Sequence, residues 1–279
     1  MTNARLAYMP LITYPGLAPD ESIIAAVAFA GALGCELQAT TFSVKIPPVS
    51  SPIGNFLLNI PELIRTTEEN SLADCLRLQD LVHRWADGRI QAQCSSKKLM
   101  LGLAANAAAI EARYYDVSLV PWAVDNLVIQ ELAQSVVFDA GRPVILVPPS
   151  ATSKPIGHVA IAWDGSRVAA RALADLMPLL AQNTFITVLT VQNEKPLEAP
   201  DLAEALAASL KKRGVQALAR NVELGGREIA EALQETALEV GADLMVMGGF
   251  GHTRLRDFIL GGATKGVFSD LRLPVLFSH

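Results

Sequence analysis

Short apolar runs of strand length alternate along this chain with longer stretches whose apolar positions recur at helical spacing. The second half shows this most cleanly. Residues 158–163 (HVAIAW) read as a strand, ended by an Asp164-Gly165-Ser166 turn in which Ser166 caps a helix reaching about Ala181. Residues 185–191 give a second strand, Asp201 with Glu204 a capping-box-like helix start, and Gly214 that helix's stop. A third strand covers 215–222. Gly225-Gly226 leads into a helix over 227–240, closed by Gly241, and a strand over 243–247 comes after it. A last helix after Gly261-Gly262 and a last strand over 274–278 complete the pattern. Apolar strands separated by helices predict an α/β fold with a parallel sheet covered on both faces.

The first half repeats the order more loosely. Strands over 6–13 and 36–44 flank a helix over 21–33; a strand over 90–94, a helix near 99–114 and strands over 117–121 and 144–147 match the rest. RYYDVSLVP lies beside VGADLMVMG, and GRPVILV beside LRLPVLF. An internal duplication with a linker at 148–157 (PPSATSKPIG) accounts for this most simply, giving domains over 1–149 and 156–279 in a pseudo-dimer. One continuous large sheet is the alternative. Between the first strands and the rest, residues 44–64 are rich in proline yet apolar, which suits packing over the sheet or against the other half, a lid over an apolar cavity, or a partner surface. The stretch after it places Leu72, Cys75, Leu76, Val82 and Trp85 at near-helical spacing.

Bulk properties narrow the function. The 279 residues, 51% hydrophobic, suffice for two ordinary cores. A net charge of −5 argues against a general nucleic-acid binder. No apolar run spans a bilayer and the first residues lack a signal peptide's apolar core, so a cytoplasmic protein away from membranes is expected. Cys35, Cys75 and Cys94 suit reduced thiols. The four histidines show no metal spacing, and nothing pairs a nucleophile with a base, so catalysis has no visible engine.

The chemistry concentrates near the C-terminus. A strand runs into Gly248, Gly251 comes after two residues, and Gly261-Gly262 opens a helix nine residues later. Glycine lets a ligand approach the backbone without meeting a Cβ, and a helix N-terminus adds unpaired N–H groups and a positive dipole end. Tight turns in a packed α/β domain use glycine too. No glycine occurs between Gly102 and Gly141, so Pro121 and Val124 stand where Gly248 and Gly251 should be, and half one has lost the cradle. His252, Arg254 and Arg256 sit in the intervening loop, to meet phosphates or to solvate it. Lys265 after GGAT has the wrong order for a Walker A loop.

With AWDGSRVAARAL, DLMVMGGFGH, the G-2x-G-9x-G spacing and the PVLFS ending, the chain resembles a tandem universal stress protein, two UspA-type domains in one polypeptide. The resemblance implies two doubly wound five-stranded parallel sheets of order 3-2-1-4-5, of the adenine-nucleotide α-hydrolase-like type. It implies a regulatory protein of the stress response that binds ATP (or AMP or ADP, with Mg as a possible companion). Ala162, Trp163 and Asp164 match the nucleoside end, and Val191 the backbone contact to adenine. Met247 and Gly248 match the floor, and Gly251, His252, Gly261, Gly262, Ala263 and Thr264 the phosphate surround. Nucleotide-binding members carry Ser, Thr or Asn where this chain has Gly262. The missing hydrogen bond is worth about 1.5–3 kcal/mol, roughly ten- to a hundredfold in affinity. Binding without turnover, an ordering of 252–260 read by a protein partner, and a homodimer are the further expectations. A nucleotide-free scaffold, an apolar-ligand protein or a weak ATP hydrolase are the alternatives.

Overall fold

The computed structural model describes residues 5–48, 59–191, 201–249 and 262–279. Its elements run β1 (Arg5–Ile12), α1 (Asp20–Ala32), β2 (Cys35–Lys45), α2 (Ile60–Ala86), β3 (Ala92–Met100), α3 (Ala104–Ala112), β4 (Val117–Pro121), α4 (Leu127–Asp139) and β5 (Val144–Val147). The second set comprises β6 (His158–Ala162), α5 (Arg167–Leu176), β7 (Phe185–Val191), α6 (Leu202–Lys212), β8 (Ala217–Val222), α7 (Ile229–Glu239), β9 (Leu244–Gly248), α8 (Gly262–Ser269) and β10 (Val275–Ser278).

Each set forms a parallel sheet of order 3-2-1-4-5, as the resemblance implies. The two sheets do not stay separate. β5 and β10 pair antiparallel, Val144 with Phe277 and Leu146 with Val275, so the ten described strands form one sheet. The chain is therefore both a duplication and a continuous sheet, its two units fused edge to edge. β5 and β10 are buried along their whole length, which suits VILV and VLFS, apolar runs with no solvent face.

Equivalent hydrogen bonds confirm the duplication. Asp116 accepts from the Leu6 amide at 2.9 Å and donates its own amide to the Leu6 carbonyl at 3.0 Å. Asp243 does the same to His158, at 3.0 and 2.8 Å, and also accepts from Gly157 at 2.9 Å. An aspartate before the fourth strand of each unit therefore ties down the start of its first strand.

Several expected boundaries shift. β3 runs to Met100, where the sequence suggests a helix from about 99; α3 begins only at Ala104, after a turn with Gly102 at φ +84°. The SSKKLM segment is a sheet edge whose polar side chains face water, so its apolar pattern is faint. α4 is a further helix, absent from the expected elements although its buried Ile129, Leu132, Ala133, Val136 and Val137 recur at helical spacing; it is capped by Asn126, whose Oδ1 accepts from the Val128 and Ile129 amides. α5 ends at Leu176, and Pro178 turns the chain into one 3₁₀ turn, Met177–Leu179, instead of continuing to Ala181. Asp201 makes no side-chain cap bond. Of the proline-rich stretch, residues 49–58 lie outside the described residues. The 27-residue α2 begins two residues beyond them and packs on α1, β2 and β3. No helix among the described residues is long and apolar enough to cross a membrane.

Candidate functional site

In the second unit the carboxyl end of β9 meets the first turn of α5, with the ends of β6 and β7 side by side next to it. The turn after β6 is shaped by Gly165 at φ +77° and by Asp164, whose Oδ1 accepts the Ser166 amide at 2.9 Å. Ser166 then caps α5, its Oγ accepting from Ala169 at 3.3 Å. Trp163 donates its amide to the Leu189 carbonyl at 2.8 Å, and Thr190 Oγ1 donates to the Trp163 carbonyl at 2.8 Å. These bonds hold Ala162, Trp163 and Asp164 beside Val191. Ala162, Trp163 and Val191 are half-buried and Asp164 is exposed, an open end where a buried one was possible.

Gly248 closes β9 directly under α5. A Cβ there would lie 2.6 Å from the Val168 carbonyl carbon and 2.7 Å from the Ala169 nitrogen. Close helix packing alone therefore requires this glycine. Gly262 is different: it opens α8, and no described residue lies within 4 Å of a built Cβ. Crowding by the described residues does not account for it. Ala263 is half-buried and Thr264 buried beside it in the same first turn. Met247 is buried on β9, paired with Phe277. Gly251, His252 and Gly261, with Arg254 and Arg256, lie outside the described residues.

The register of the two sheets shows what the first unit has at the same places. β1 pairs with β4 through Ala7–Val117, and β6 with β9 through Val159–Leu244, so Ile12 occupies the level of Asp164. Thr40 pairs with Pro10 as Leu189 pairs with Ala162, which places Phe42 at the level of Val191. Pro121 pairs with Val147 as Gly248 pairs with Ser278, and Trp122 donates its amide to Val147 as Gly249 does to Ser278. The exposed carboxylate and the two glycines of one unit are thus an isoleucine, a proline and a tryptophan in the other, with Ile12, Phe42 and Trp122 at most 5% exposed. The helix α2 is tied to the chain at the ends of β1 and β2. Its Ser71 Oγ accepts from the Val44 amide at 2.9 Å and lies 2.7 Å from Thr13 Oγ1. Pro121 is legible in the sequence as the lost cradle; the roles of Ile12, Phe42 and Ser71 need the register.

Two features escape a reading of the sequence. Ser278 Oγ is buried beside Gly248 with no hydrogen-bond partner among the described residues. Trp122 and Val137 of the first unit reach the second: Trp122 packs edge-on to Phe268 at 5.1 Å, and Val137 Cγ1 is 3.4 Å from a Cβ built on Gly249. Only a serine in an otherwise apolar PVLFS run hints at the first. An open depression lined by Phe185, Lys211, Gly214 and Ala217 lies at the amino-terminal end of β7 and β8, the opposite end of the sheet from Asp164. Among the described residues no cluster of His, Cys, Asp or Glu could hold a metal ion.

The universal stress protein family model matches residues 155–279. No curated protein matches the chain. Among solved structures, a universal stress protein from Archaeoglobus fulgidus DSM 4304 covers 97% of this chain with 97% of its own, at 14% identity and a TM-score of 0.64. A protein of Pseudomonas aeruginosa UCBPP-PA14 assigned to the same family covers 99% of this chain with 93% of its own, at 15% identity and a TM-score of 0.53. A functionally unknown protein from Pseudomonas aeruginosa PAO1 covers 97% with 92% of its own, at 16% identity and a TM-score of 0.50. At such identities the likeness is one of fold. Residues 155–279 thus carry the sequence pattern of the universal stress protein family, and the whole chain has the two-unit fold of the solved structures it resembles.

Proposed function

We propose that residues 156–279 bind an adenine nucleotide, ATP or one of its shorter forms with or without Mg, and that residues 1–149 are a mate that binds none. The observation that carries this reading is the contrast between register-equivalent positions. One unit fills its strand ends with Ile12, Phe42, Pro121 and Trp122. The other leaves Asp164, Val191, Gly248 and the uncrowded Gly262. Open α/β sheets bind ligands at the carboxyl ends of their strands. In this reading Asp164 and the backbone at Val191 fix the nucleoside. The first turns of α5 and α8 present amide N–H groups and positive dipole ends to the phosphates. Gly251, His252 and Gly261 would complete the surround. In this reading the site binds and does not turn over substrate. The output is regulatory, carried to a protein partner in the cytoplasm, by one chain or a homodimer.

A second reading draws on a different observation. Among the described residues, all but two of the exposed large apolar side chains belong to the first unit, Leu63, Leu72, Leu76, Leu103, Val124 and Leu127 included. Under that reading the protein is a nucleotide-free scaffold whose first unit meets an apolar ligand or partner. Mass spectrometry of small molecules released on denaturing the purified chain separates the two. Recovery of ATP, ADP or AMP at near one per chain supports the receptor; a lipid, or no small molecule together with no binding of added ATP, supports the scaffold.

A further inference from the structure

The two units touch through a contact made twice. At the last rungs, Val147 and Ser278 are equivalent, and Val137 and Phe268 lie the same distance ahead of them. Trp122 is likewise equivalent to Gly249. The pair Gly249–Val137 and the pair Trp122–Phe268 are therefore the same contact seen from either side of the β5–β10 seam. Their sizes are opposite. A glycine meets a valine on one side, and an indole meets a phenyl ring on the other.

We propose that Trp122 is a positioning residue for the second unit's nucleotide site, seating α8 so that Gly262, Ala263 and Thr264 face the phosphates. This deepens the adenine-nucleotide reading and rests on it. α8 has eight residues, so its two ends are rigidly linked across about 12 Å. Its far end is held at three points. Phe268 meets Phe277 at 5.6 Å and 60°, and Trp122 at 5.1 Å and 79°. Gly266 lies so near α7 that a Cβ would come 2.5 Å from Ala230 Cβ. Of the three, the Trp122 contact alone comes from the other unit.

Trp122 is itself fixed. Its amide donates to Val147, and its carbonyl accepts from Ser22 Oγ at 2.7 Å. Its side chain is 1% exposed, yet Nε1 has no partner among the described residues. A buried N–H without a partner is unfavourable, so the indole is held there by its shape and ring edge. A phenyl ring would preserve that edge; an aliphatic chain would not.

The test uses the full chain and its Trp122→Leu, Trp122→Phe and Phe268→Leu variants. Deuterium exchange of peptides spanning 262–269 is read without nucleotide, MgATP affinity by calorimetry, and melting temperature alongside. Trp122→Leu is expected to speed α8 exchange and weaken MgATP roughly two- to tenfold, with Trp122→Phe at wild-type values. Phe268→Leu breaks the same contact from the other side and should reproduce the loss, so a folding defect in one variant does not block the test. A lower melting temperature with unchanged exchange and affinity would make Trp122 merely structural and overturn the proposal. If wild type gives no heat with MgATP while Trp122→Leu still speeds α8 exchange, the nucleotide reading falls and the seating of α8 stands.

Discussion

Gly248 and Gly262 are both motif glycines, yet their surroundings give them different work. Gly248 sits against the backbone of Val168 and Ala169, so Gly248→Ala should cost about 1–3 kcal/mol and lower the melting temperature whether or not nucleotide is present. Gly262 opens a helix and no described residue crowds it, so Gly262→Ser should leave stability within about 0.5 kcal/mol. Under the receptor reading, the hydroxyl restores the hydrogen bond that nucleotide-binding relatives are expected to make there. MgATP affinity should then rise about tenfold or more, measured by calorimetry. A rise in affinity without a change in melting temperature is the outcome that a purely structural Gly262 does not give. His158 offers a separate check. Burial lowers its pKa below the usual 6.5, and Asp243 and the Val240 backbone offset this only in part. The fold therefore favours the neutral ring. This contribution is complete above about pH 6.5 and is lost as pH falls through the lowered folded value. His158→Gln should show a shallower loss of melting temperature between pH 7 and 5 than wild type.

Among elements, the first strands are tied in the same way in both units, but not equally. Asp243 accepts two backbone N–H groups at the start of β6, whereas Asp116 accepts one at the start of β1. Asp243→Ala should therefore cost more than Asp116→Ala, by about 1–2 kcal/mol, read from denaturant midpoints. The buried strands and their helices were legible because their apolar runs are complete: VSLVP, VILV and LMVMG are buried nearly throughout. Elements at the margins were not. β3 is a sheet edge with mostly exposed side chains; α4, by contrast, carries readable marks in Asn126, in apolar residues at helical spacing and in Gly141 just beyond its end, although the expected elements omit it. The candidate site was legible to the extent that it uses glycine. The filling of the first unit's strand ends by Ile12 and Phe42 was hidden, because ordinary core residues carry no local mark. Only pairing across strands brings them to the level of Asp164 and Val191.

On the scale of the molecule, the β5–β10 pairing converts two sheets into one. Val144, Leu146, Val275 and Phe277 are fully buried at the junction, and Trp122–Phe268 and Phe138–His279 (5.3 Å) add ring contacts across it. Units joined through such a core should unfold together. Scanning calorimetry is expected to give one transition with matching calorimetric and van't Hoff enthalpies; two resolved transitions would show the units to be energetically independent. The strand ends of the two units differ within this shared frame. One strand-end is filled with bulky side chains, and the other carries a carboxylate and glycines at the equivalent positions. Titration of the purified, nucleotide-stripped chain with MgATP by isothermal calorimetry tests this most directly. The account predicts binding at one site per chain; no heat at millimolar MgATP, or two sites per chain, would contradict it.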